Sequence, residues 1–170
     1  MLSLNFRSLL TVGLCFGVGL GPVRAELGRG AAFPVLSEAR LEGVLPATAG
    51  RLVLVDFWAS WCAPCQASFP ALARLHADYA ARGVTILGVS VDEKAAASAA
   101  FVKRLAPPFA TVRDPAHQLV AAVNVSAMPS TFLVGRDGRV RAVFAGYHGN
   151  ETEKAIRAAL DQALAEISLP

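Results

Sequence analysis

Two cysteines separated by two residues, in Trp61-Cys62-Ala63-Pro64-Cys65, form the residue pair best suited to chemistry in this chain. The thiolate is the reactive form of cysteine. Its pKa falls at a helix N-terminus, where free backbone N–H groups and the positive end of the helix dipole stabilise negative sulfur. Cys62 is expected at such an end, exposed to solvent. Cys65 falls one turn further in, within reach of a mixed disulfide on Cys62. Pro64 lacks a backbone N–H, which costs nothing in a first helical turn. The pair therefore predicts thiol–disulfide exchange: Cys62 attacks a partner's disulfide and Cys65 resolves it, or the sequence runs backwards to donate oxidation. A disulfide closing so short a loop stabilises a fold little, which favours one that is made and broken over a static one. Structural zinc is a weaker reading, because it takes four ligands, usually from a second cysteine pair. The third cysteine, Cys15, lies in an N-terminal apolar segment, and His76, His117 and His148 are scattered.

Two other positions stand out. Asp56 interrupts an apolar run six residues before Cys62. A buried carboxylate is costly and its pKa rises. Asp56 is therefore read as the proton acceptor for Cys65 when that thiol must ionise; the alternative is a strand residue facing solvent at a sheet end. Met128-Pro129 places a proline at the start of a strand that otherwise reads as central, a position where proline is tolerated. On local sequence alone the bond is expected to be trans, since only about 5–6% of X–Pro bonds are cis. A cis bond would put the Met128 backbone beside Cys62 to receive a peptide as an added strand.

The elements that must position these residues follow from periodicity. Leu52 to Trp58 reads as a strand buried on both faces. A helix from Ala63 to Arg82 carries Phe69, Leu72, Leu75 and Tyr79 on one face, is interrupted by Pro70 and stops at Gly83. Val84 to Val91 is a second strand, and Asp92 is expected to cap a helix that ends before Pro107-Pro108. Phe109 to Val112 is a short strand, and Asp114-Pro115 is expected to open a helix to Asn124. Thr131–Val134 and Arg139–Ala145 form a hairpin around Asp137-Gly138. Asn150 and Glu153 resemble a capping box for a last helix, with Ile156, Leu160, Ala163, Leu164 and Ile167 on its buried face. This order predicts an α/β domain over residues 51–168: a mixed central sheet with helices on both faces. Residues 26–50 read as a lead-in of loop with a short hairpin.

Composition fits a single export-targeted domain. The 170-residue chain is 54% apolar and 17% charged, which excludes wholesale disorder. Residues 1–25 hold one early cation, Arg7, then an uncharged run from Ser8 to Val23 and a Val23-Arg24-Ala25 cleavage-type site. This layout is a secretory signal peptide, or an uncleaved anchor; the run is short of the roughly 20 residues a spanning helix needs. Without Arg7 and Arg24, 14 basic residues face 13 acidic ones, so the net of +1 gives no case for nucleic acid.

Val55 to Cys65, Pro70 and Met128-Pro129-Ser130-Thr131 together resemble the thioredoxin superfamily, over about Arg51 to Leu164. Within it, the export segment, the inserted helix-strand unit from about Glu93 to Val112, and the phrases Gly88 to Asp92 and Phe132 to Gly138 are similar to the exported TlpA/ResA-like branch. The resemblance implies a thioredoxin fold, Cys62 as nucleophile, Cys65 as resolver in a Cys62–Cys65 disulfide, and a cis Pro129. It also implies Trp61, Pro64, Met128 and Pro129 as the substrate-binding surface. Protein thiols and disulfides are the implied partners, with a membrane thiol protein as electron donor in the periplasm; no metal or other cofactor is implied. Cytochrome c maturation and the thiols of copper proteins are the implied substrate classes. Two positions depart from the branch: Asp56 where Asn is frequent, and Ser68 where Glu is frequent. Both suit a general dithiol reductase equally well. The competing readings are a peroxiredoxin-like peroxidase and a module binding Cu(I) through the two thiolates.

Overall fold

The computed structural model describes residues 26–166, so residues 1–25, where the sequence suggests an export signal or anchor, and Ile167 lie outside the described residues. Strand β1 (Leu52–Trp58) is built from the apolar run and is buried throughout. The other strands are β2 (Val84–Ser90), β3 (Ala110–Arg113), β4 (Ser130–Val134) and β5 (Val140–Ala145). The helices are α1 (Ala63–Tyr79), α2 (Ala95–Leu105), α3 (Gln118–Val123) and α4 (Asn150–Ala165). The strands form one sheet in the order β3-β2-β1-β4-β5. β1, β2 and β3 run parallel, and β4 is antiparallel to both of its neighbours, so the sheet is mixed. The inserted unit is α2 with β3, which adds a strand at one edge.

Side chains alternate across a strand, so a strand buried at every position is covered on both faces. On one face Trp58 stacks on Phe101 of α2 at 4.5 Å between ring centres and meets Phe69 of α1 edge-on. On the other, Phe57 packs edge-on against Phe132, which in turn meets Phe33 from the lead-in.

The lead-in forms no hairpin. It crosses from one edge of the sheet to the other, making single bridges at Ala32–Arg139 and Glu42–Arg113. Pairing with existing edge strands satisfies its backbone without a partner strand of its own. Three helix starts also differ from the sequence reading. Asp92 does not cap α2; Lys94 holds that position without a side-chain bond, and the Asp92 carboxylate accepts from Ser60 and Ser90 instead. α3 begins at Gln118, not at Pro115, although Asp114 still accepts from the Gln118 and Val120 amides. Asn150 and Glu153 form no capping box, because Glu153 is drawn into bonds with Arg74 and Arg157. α1 ends at Tyr79 and tightens into a 3-10 turn, Ala80–Arg82, closed by left-handed Gly83.

Phe33 lies in the core although it belongs to the lead-in. Replacing it with Ala should lower stability by about 3 kcal/mol, read by urea unfolding; a loss under 1 kcal/mol would mean that the lead-in is not part of the folded unit.

Candidate active site

The motif sits where β1 hands the chain to α1. Cys62 is the N-cap of α1, with extended backbone angles, and its amide donates to the Ala59 carbonyl at 3.1 Å. Its Sγ accepts the Cys65 backbone N–H at 3.2 Å. The sulfur therefore satisfies one of the amides that a helix start leaves without a partner, at the positive end of the helix dipole. Cys62 and Cys65 are joined by a disulfide, with Cα atoms 5.3 Å apart. Trp61 projects outward and is 72% exposed.

The structure corrects the expected exposure of Cys62. Cys62 is only 6% exposed, because its sulfur turns back under the helix start while Trp61, Ala63 and Pro64 form the surface. Cys65 is completely enclosed. The order of access between the two sulfurs still follows their positions along the helix.

Asp56 lies within β1 and is 1% exposed, so it does not face solvent at a sheet end. By strand alternation it shares with Trp58 the face that α1 covers, and α1 carries Cys65. Thr131, its cross-strand partner on β4, donates its hydroxyl to Asp56 Oδ1 at 2.7 Å. Asp56 Oδ2 is buried and has no hydrogen-bond partner among the described residues. Burial raises the carboxyl pKa from 3.8 to about 7, and the Thr131 hydrogen bond opposes that rise. A carboxyl poised there exchanges protons near neutral pH.

β4 starts beside the end of β1, with Ser130 in register with Phe57, and this brings Pro129 to the motif. The Met128–Pro129 peptide is cis, as the family resemblance implies and against the trans expectation from local sequence alone. Gly146 and Ser130 hold this turn through Gly146 N to Pro129 O at 2.7 Å and Ser130 Oγ to Ala127 O at 2.8 Å. Met128 is half-buried and Pro129 buried. Ser68, where the branch often has Glu, is buried and donates to the Cys65 carbonyl at 2.9 Å. Thr131 was not singled out from sequence. Its signal appears only once the β1–β4 register places it opposite Asp56. No group of three or more His, Cys, Asp or Glu side chains among the described residues could hold a metal ion.

A central strand running into a Cys-x-x-Cys helix, beside a cis-proline at the head of the next strand, defines a thioredoxin-type fold. The Redoxin family model matches residues 42–160, and the chain belongs to that family, in its ResA-like branch. Thiol-disulfide oxidoreductase ResA of Bacillus thuringiensis subsp. konkukian is 30% identical over 148 residues, covering 81% of this chain and 84% of that protein. ResA of Bacillus subtilis is 36% identical over 97 residues, covering 57% of this chain and 54% of its own length. With several of these curated relatives, then, the match spans only about half of their length. A crystal structure of a Chlorobium tepidum protein, described as a candidate thiol:disulfide interchange protein DsbE, superposes with a TM-score of 0.71 at 29% identity. That match covers 81% of this chain and 99% of that one.

The raised Asp56 pKa has a consequence for stability. Below pH 3.8 the carboxyl is protonated in both the folded and the unfolded chain, and contributes nothing. As pH rises towards about 7, the unfolded chain ionises first and folding must take up a proton. The cost levels off near 4 kcal/mol, about 1.4 kcal/mol for each pKa unit. Asp56→Asn should therefore stabilise the oxidised protein by a few kcal/mol at pH 8 and scarcely at all at pH 4, measured by denaturant unfolding. Equal effects at both pH values would show that Asp56 is not held neutral by burial. Thr131→Val should push the Asp56 titration, followed by carboxyl infrared absorption, above about 7; a downward shift would contradict the assigned hydrogen bond.

Proposed function

We propose that this protein is an exported thiol–disulfide oxidoreductase that reduces protein disulfides in the cell envelope. The observation that carries this reading is the arrangement of the two sulfurs: Cys62 caps α1 at its positive end, and Cys65 is bonded to it from a fully enclosed position. Relatives named thiol-disulfide oxidoreductase support the reaction class.

In the reduced enzyme, the Cys62 thiolate attacks one sulfur of a substrate disulfide. A Cys62–substrate bond forms, the substrate disulfide breaks, and its other sulfur leaves as a thiolate that takes a proton from water. Asp56 then accepts the Cys65 proton. The Cys65 thiolate attacks Cys62 Sγ, closing the Cys62–Cys65 disulfide and releasing the second substrate thiolate. Two electrons pass from the enzyme dithiol to the substrate, and Asp56 returns its proton to solvent. Trp61, Pro64 and Met128 form the surface against which the substrate lies, and the buried cis Pro129 holds the Met128 backbone to receive an extended segment.

Residues 1–25 act as the export signal or anchor, 26–50 as the lead-in, and 51–168 as the thioredoxin-like domain. Among the described residues no helix is long and apolar enough to cross a membrane. In the oxidising periplasm the dithiol is regenerated by a membrane thiol protein. Substrates are protein disulfides, with cytochrome c maturation and copper-protein thiols as the classes to test first.

Cys65→Ser should accumulate mixed disulfides on Cys62 in envelope extracts, and Cys62→Ser should accumulate none. Purified reduced protein should reduce insulin, Cys62→Ser should lose that activity, and Asp56→Asn should slow resolution about 100-fold near neutral pH. Absence of both trapping and insulin reduction would overturn the assignment, and rapid peroxide turnover would replace it with the peroxidase reading.

A further inference from the structure

The turn that carries Cys62 is fastened from below by a carboxylate. Asp92, just past the end of β2, is 3% exposed. It accepts from Ser60 N at 3.0 Å and Ser60 Oγ at 2.8 Å, and from Ser90 Oγ at 2.9 Å. Its own amide donates back to Ser90 Oγ at 3.1 Å. Ser60 is two residues from Cys62, a chain span of at most about 7 Å.

Among the described residues no cation pairs with this carboxylate. Arg113, the nearest candidate, directs Nη1 to the backbone carbonyls of Asp92 and Glu93, and Nη2 to Glu42. Glu93 and Lys94 are exposed. His117 meets the Val91 carbonyl through Nε2, and Asp56 points into the core from β1. A buried carboxylate satisfied only by neutral donors thus lies under the nucleophile's turn.

We propose that Asp92 is a positioning residue that fixes Cys62 through Ser60 and, through its negative charge, keeps the Cys62–Cys65 couple reducing. This rests on the exchange function proposed above. The α1 N-terminus stabilises the Cys62 thiolate, and a stabilised thiolate makes a dithiol more oxidising. A nearby like charge works against that stabilisation. The two features set the potential between them, with Ser60 and Ser90 moderating the carboxylate. The lead-in reaches the same network, since Glu42 pairs with Arg113 by backbone and side chain.

The test uses the full reduced protein. Asp92→Asn keeps the size and most of the hydrogen bonds but removes the charge. It should speed iodoacetamide alkylation of Cys62 at pH 6 about threefold. It should also make the Cys62–Cys65 potential, read against glutathione, about 14 mV more positive by the same factor. Ser60→Ala removes a donor and leaves the charge, so alkylation should slow about twofold. Simple loosening of the turn would move both variants in one direction. The exposed neighbour change Glu93→Gln should move neither reading. The proposal is overturned if Asp92→Asn folds with unchanged alkylation and potential, or if both variants shift the same way. Should Asp92→Asn fail to fold, Ser60→Ala decides alone, and unchanged or faster alkylation overturns the proposal. Insulin reduction by the unaltered protein is measured alongside: its absence would count against the exchange function, whereas its presence with silent variants would count against Asp92 alone.

Discussion

One contact organises the site: a sulfur placed where a helix begins. Cys62 Sγ receives the Cys65 amide because Cys62 is the N-cap of α1, at the end of the short turn that leads out of the buried strand β1. The strand must be rigid for this to hold, and β1 is rigid because it is the middle of five strands and covered on both faces. The aromatic packing of Trp58 with Phe69 and Phe101 pins the strand's last residue to α1 and α2. A nucleophile made acidic by backbone amides needs those amides held still.

The same rigidity explains why polar residues are tolerated in the core. Asp56, Thr131, Ser68, Ser60 and Asp92 all lie within or just beneath the motif, and each bonds to another member or to the backbone near it. Their arrangement is asymmetric. Asp56 keeps one oxygen without a hydrogen-bond partner and its pKa is raised to about 7, whereas Asp92 is fully supplied with donors. One carboxyl is suited to exchanging a proton, the other to holding a turn.

Much of this was legible in the sequence where a pattern is local and repeated. The unbroken apolar run of β1, the Phe69-Leu72-Leu75-Tyr79 face of α1 and the Asp137-Gly138 hairpin carry their own signal. Two of the misplaced helix starts share one cause: a polar residue that looked like a local cap was claimed by a distant partner. Glu153 is bound by Arg74, 79 residues away, and Asp92 by Ser60, 32 residues away. The cis Met128–Pro129 bond is invisible to local statistics, because it is fixed by Gly146 and by β4 meeting β1. The burial of Cys62 was missed for a similar reason: exposure at the motif belongs to Trp61, and the sulfur's cap bond turns it inward.

The central claim is that ionisation and access separate the two sulfurs. The direct measurement is pulsed alkylation of the fully reduced protein across pH 5 to 9, with each thiol's modification followed by peptide mass spectrometry. The account requires Cys62 to react first, with an apparent pKa well below the roughly 8.5 of a free thiol, while Cys65 stays unmodified until the protein unfolds. Modification of Cys65 first, or equal and slow modification of both with unperturbed pKa values, would contradict it.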